Sequence, residues 1–109
     1  MVRLAIAYPN APGKRFDYTY YVERHMAGAH QMLVPYGLTR IEVDRALPGA
    51  DGSAPPFACI GYFYFDSADG LQRAMEAHGA MLGADVPNYT DIVPQLQMGE
   101  IVEVAPARA

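Results

Sequence analysis

The chain has 109 residues, 51% of them apolar, a formal charge of −4, one lysine (Lys14) and one cysteine (Cys59). That length fits a single domain with a real core. The single cysteine excludes an internal disulfide or a thiolate metal cluster, and a charge of −4 with lysine nearly absent gives no electrostatic footprint for nucleic acid. Val2 to Tyr8 then alternates Val2, Leu4, Ile6 and Tyr8 against Arg3, Ala5 and Ala7, a strand ended by Pro9-Asn10-Ala11-Pro12-Gly13. It begins at the N-terminus with no leader pattern, and no apolar run approaches the ~20 residues of a membrane span. A cytoplasmic protein with neither membrane nor nucleic-acid partner is expected.

Residues 15–33 follow a helical period. At about 100° per residue, Tyr18, Tyr21, Val22, His25, Ala29, Met32 and Leu33 share an inner face, while Thr19, Tyr20, Glu23, Arg24, His30 and Gln31 share the outer one. Asp17 is placed to cap the start. One feature is anomalous: an ionisable histidine stands in the middle of the inner stripe, one turn from Tyr21.

The helix stops near Pro35-Tyr36-Gly37, and Leu38 to Leu47 alternates again. Its face of Arg40, Glu42 and Asp44 marks a solvated edge strand. After a Pro- and Gly-rich loop, Phe57 to Phe65 is apolar or aromatic on both faces, as a central strand covered on both sides would be. Ser67 or Asp69 caps a second helix over 69–82 with an inner stripe of Leu71, Ala74, Met75, His78 and Leu82. A turn-rich stretch, GADVPNYT, leads to a last strand expected over 92–104 and bent at Pro94 or Gly99.

The order β-α-β-β-α-β predicts an α+β, ferredoxin-like βαββαβ sandwich, a four-stranded antiparallel sheet with two helices on one face. Residues 1–104 form the domain and 105–109 a frayed tail. Two helices leave the other face bare, so a second copy is expected to cover it, giving a homodimer with sheet packed on sheet.

His25 admits two accounts. It is either a core histidine whose ring nitrogens are satisfied by a tyrosine or a carbonyl, or a general acid/base, since imidazole titrates near neutral pH. In the second account Tyr21 is its partner, and Tyr18 on the same stripe orients it or polarises a substrate oxygen. His78 also falls on an inner stripe. Two imidazoles converging with Tyr8, Tyr62 or Tyr64 would suit proton transfer on a phenolic or enolic ligand, but His78 also fits as an unrelated core or helix-end residue. Asn88-Tyr89-Thr90 is a turn that also offers Tyr89 as the end of a pocket. No H-E-x-x-H spacing or glycine-rich phosphate loop is present, so neither metal nor cofactor is expected. Cys59 reads as a small buried hydrophobe.

Tyr8-Pro9, Phe16-Asp17, Tyr20-Tyr21 and His25-Met26, followed by Asp85-Val86-Pro87-Asn88-Tyr89-Thr90-Asp91-Ile92, Pro94 and Gln97, resemble the opening and closing stretches of the EthD family, named for ethyl tert-butyl ether degradation. The resemblance implies a dimeric α+β barrel. It also implies a role in breakdown or tailoring of aromatic, ether or polyketide-like compounds, either as a cofactor-free enzyme or as a non-catalytic carrier accessory to an oxygenase. The barrel relatives include monooxygenases, isomerases and cyclases, whose small hydrophobic or aromatic ligands lie between helices and sheet. The family's histidine–methionine pair is followed by proline and leucine, where this chain has Ala27-Gly28. The helix is therefore expected to run on without a proline kink, and Gly28 to leave space beside His25.

Overall fold

The computed structural model describes residues 1–107, so Arg108 and Ala109 of the predicted tail lie outside the described residues. Four strands, β1 (Val2–Pro9), β2 (Leu38–Arg45), β3 (Phe57–Phe65) and β4 (Gln95–Glu100), form one sheet in the order β2-β3-β1-β4. Every neighbouring pair is antiparallel. Helices α1 (residues 18–33) and α2 (Ala68–Asp85) cover one face, which is the ferredoxin-like arrangement that the element order predicts. The edge position of β2 and the central position of β3 agree with their charge patterns.

Alternation along β1 and β3 sends Leu4, Tyr8, Cys59, Phe63 and Phe65 under the helices, where they are buried with Tyr21, Met26, Ala29, Leu33, Leu71 and Ala74. The Asp17 carboxylate accepts from the Tyr20 N–H at 3.0 Å to start α1, and Ser67 Oγ accepts from the Gly70 N–H at 3.0 Å to start α2. Gly37, at φ 94°, closes the end of α1 in the left-handed region where a side chain would be strained.

The elements differ from the sequence pattern in several places, β2 among them, which ends at Arg45 and not at Leu47. Residues Tyr21–Met26 of α1 are wound as a π turn, with one more residue per turn than the α geometry on either side. The added residue shifts the stripe, so Met26 is buried whereas Val22 is 39% exposed. Helix α2 runs on to Asp85 and into a 3₁₀ turn, Val86–Asn88, because Pro87 at the start of such a turn needs no donor. The last strand begins only at Gln95, after Pro94, and ends at Glu100.

On the open face the aromatic surface of β3 is clothed by the chain's own charges. The Arg3 guanidinium lies 4.5 Å from the Tyr62 ring centre and that of Arg40 lies 3.8 Å from the Tyr64 ring centre. Tyr64 donates to Glu42 at 2.7 Å and Tyr62 to Asp44 at 3.3 Å.

Candidate functional site

The segment after α2 is fastened to the entrance of α1. The Asp17 N–H donates to the Tyr89 carbonyl at 2.7 Å, Thr90 Oγ1 to the Arg15 carbonyl at 2.6 Å, and the Arg15 guanidinium to the Pro87 carbonyl at 2.8 Å. This clamp drives Tyr89 into the core and brings the end of α2 alongside His25. His25 is 6% exposed, and its Nδ1 stands 2.9 Å from Asp85 Oδ2. The other carboxylate oxygen, Oδ1, accepts from Tyr20 OH at 2.8 Å and from Asn88 Nδ2 at 2.8 Å. Burial pushes the Asp85 carboxyl upward, but donors from Asn88, His25 and Tyr20 outweigh it and hold the group below the usual carboxylate range. An ionised carboxylate only accepts, so Nδ1 carries the hydrogen of this bond. Among the described residues no group hydrogen-bonds Nε2.

Beneath the imidazole lies a cavity of about 110 Å³ between α2 and the sheet. Leu4, Ile6, Phe63, Met75, Leu82 and Leu96 give it an apolar wall, and His25 and Tyr8 are its polar side chains. His25 and Leu82 also line an outer cleft that passes Gly28, where a Cβ would meet nothing within 4 Å. The space expected beside His25 is there.

Tyr8 OH and Tyr89 OH share a hydrogen bond of 2.6 Å, and the Tyr89 ring centre lies 4.8 Å from that of His25. Desolvation dominates their titration: Tyr8 is pushed up to about 12, and Tyr89 and Tyr21 are raised further. These phenols are neutral near pH 7 and serve as hydrogen-bonding groups, not as phenolate bases. Burial likewise pushes the Cys59 thiol up to about 12, which leaves it unreactive.

Tyr21 meets His25 by stacking, with ring centres 5.8 Å apart and planes at 16°. Its hydroxyl is buried without a partner against Gly61, so Asp85, not Tyr21, orients the imidazole. Tyr18 lies under the Arg45 guanidinium, outside the cavity wall. Tyr62 and Tyr64 stand on the opposite face of the sheet. His78 packs edge-on against Tyr36 at 5.7 Å and does not converge on His25. The cavity face of α2 is the row Met75, Gly79, Leu82 and Gly83, continued by Val86 of the 3₁₀ turn, and His78 is not part of that lining.

Asp85, Tyr20 and Asn88 are the members of the cluster that periodicity missed. Asp85 lay in a stretch assigned to a loop, and Tyr20 fell on the polar side of the wheel. With the helix expected to end at residue 82, nothing in the sequence marked Asp85 as an acid in a last turn, where it opposes the dipole and calls for donors. Among the described residues no group of three or more His, Cys, Asp and Glu side chains gathers as a metal site, and no helix is long and apolar enough to cross a membrane.

A split βαβ sheet with a buried histidine held by a half-buried aspartate beside an apolar cavity defines a ferredoxin-like α+β protein with a candidate small-molecule site. The EthD domain family matches residues 13–92, and the chain belongs to that family. Among solved structures, an EthD-like protein from Ralstonia eutropha JMP134 is 37% identical, with a TM-score of 0.88, over 98% of this chain and 96% of that one. An ethyl tert-butyl ether (EthD) family protein from Bacillus halodurans C-125 is 24% identical, with a TM-score of 0.71, over 94% and 99% of the two chains. A dimeric ferredoxin-like protein from an uncultured marine organism shares the fold at 13% identity and a TM-score of 0.57, over 96% and 95%. No curated protein matches the chain in sequence.

Proposed function

We propose that this EthD-family chain is a small-molecule enzyme in which His25 is the general acid/base, working without a resident cofactor on a small aromatic, ether-derived or polyketide-like ligand seated between the helices and the sheet. One observation carries the reading. A buried imidazole in the wall of an apolar cavity has one nitrogen held by an ionised carboxylate and the other without a protein partner. Asp85 is then a positioning residue that fixes the tautomer and stabilises the positive charge developing when Nε2 takes a proton. Tyr21 holds the ring by stacking, and Tyr8, backed by its hydrogen bond with Tyr89, offers a neutral hydroxyl in the cavity wall. We further propose that the protein works as a homodimer, with a second copy on the open sheet face. The marine relative is described as dimeric, and small residues at Ala5, Ala7 and Ala58 would let another sheet approach.

A non-catalytic carrier dimer accessory to an oxygenase is the second reading. It is favoured by how few polar groups the cavity wall contains. The two separate in His25→Ala, tested on whatever compound a native mass spectrum of freshly purified protein releases. Acid/base catalysis predicts a loss of turnover of roughly 10²–10⁴-fold with affinity kept within a few-fold. Wild-type protein that binds the compound and never converts it belongs to the carrier reading.

A further inference from the structure

Helix α2 contains three glycines, and they are not alike. At Gly70 a Cβ would run into the Tyr36 carbonyl oxygen, so the close approach requires glycine. At Gly79 a Cβ would meet only Met75, at an ordinary 3.8 Å, and at Gly83 it would meet nothing within 4 Å. Neither has a positive φ. Glycine is the poorest helix former after proline, so both weaken α2 without serving its packing or its backbone. What they share is the cavity. Both lie in its wall beside Leu82, with Pro94 and the 59%-exposed Leu96 closing the same lining from the β4 side. That wall also holds His25, more than nine-tenths buried and with Nε2 unpartnered among the described residues.

We propose that Gly79 and Gly83 are specificity-determining residues of this cavity. By leaving the α2 wall bare they set how long an apolar ligand, anchored through an oxygen on His25, can be. The cavity of about 110 Å³ is of the order of one that holds a benzene ring, about 150 Å³. A single-ring phenol or enol fills it, and an alkyl substituent must then run along the bare stretch of α2. The inference rests on the cavity being the ligand site of the proposed function. It does not require His25 to transfer a proton.

Phenol and 4-butylphenol, titrated into isotope-labelled wild type, Gly79→Ala, Gly83→Ala and the double variant while amide shifts are followed, test it. Helix propensity predicts that each alanine raises the melting temperature, by about 4 °C or more. In the double variant the affinity for 4-butylphenol should fall about tenfold or more, while that for phenol stays within about twofold. Affinities that move together, or not at all, in variants that melt higher would overturn the proposal. So would a wild type that binds neither phenol, which would also remove the cavity as a site for this ligand class. Unimpaired turnover in His25→Ala would instead overturn acid/base catalysis and leave the size selectivity standing.

Discussion

An aspartate in the last turn of a helix sits against the negative end of its dipole, and Asp85 is stabilised there by what it accepts. Tyr20, Asn88 and His25 supply three donors to its two oxygens. An asparagine has one acceptor oxygen for the same three donors and adds an amide that itself donates. Asp85→Asn should therefore lower stability by about 1–3 kcal/mol at neutral pH. The pH dependence has a definite sign. The folded-state pKa of Asp85 lies below the unfolded value, so its contribution is present above the ordinary aspartate pKa of about 3.9 and is lost as pH falls through the lower folded value. The gap in urea midpoint between wild type and variant should narrow as pH is lowered from about 4 toward 3. A gap that stays constant with pH would show that the carboxylate charge is not what matters. His25 was visible in the sequence because it broke an apolar stripe, whereas Asp85 broke no pattern. Only the fold, which brings residue 85 to residue 25, reveals that the histidine is held.

Helix α1 shows where periodicity holds and where it stops. The wheel places Tyr21, His25, Ala29 and Leu33 inside, and all four are buried. A wheel assumes one angle per residue. The π turn over Tyr21–Met26 breaks that assumption and exchanges Val22 for Met26. Nothing in the residue types announces the extra residue. Its footing is on the neighbouring strand, where Gly61 of β3 makes room for the Tyr21 hydroxyl and the end of Met26. Gly61→Ala should thus cost about 1–3 kcal/mol, because two packed side chains must shift. Tyr21→Phe removes a buried hydroxyl that has no partner and should be neutral or stabilising by up to about 1 kcal/mol. Combined, the alanine penalty should shrink, since the nearer of the two atoms it strikes is gone and Met26 remains. Strict additivity in a urea-denaturation cycle would refute this packing account.

At the scale of the molecule, strand number, order of elements and the side taken by the helices were all readable from alternation and turn chemistry. The bare aromatic surface inferred for β3 was not a safe premise, because Arg3, Arg40 and Glu42 shield Tyr62 and Tyr64 within one chain. Those charges come from other strands, and their register is not visible along a single strand. The proposed dimer rests instead on small residues of the open face, with half-buried Ile60 among them. Native mass spectrometry should give twice the 11.9 kDa chain mass for wild type and a monomer for Ile60→Arg. Wild type that is monomeric at micromolar concentration would sink the dimer and the sheet-on-sheet barrel with it.

The clamp between residues 15–17 and 87–90 has a further consequence for how the chain acquires its chemistry. His25 and Asp85 are 60 positions apart, and Tyr8 and Tyr89 are 81 apart. Contacts of such sequence separation form late, after the loop entropy between them has been paid. An emerging polypeptide can close the β2–β3 pair while its imidazole is still unheld. The His25–Asp85 pair therefore exists only once the C-terminal third has docked, so a truncated or half-folded chain lacks it altogether.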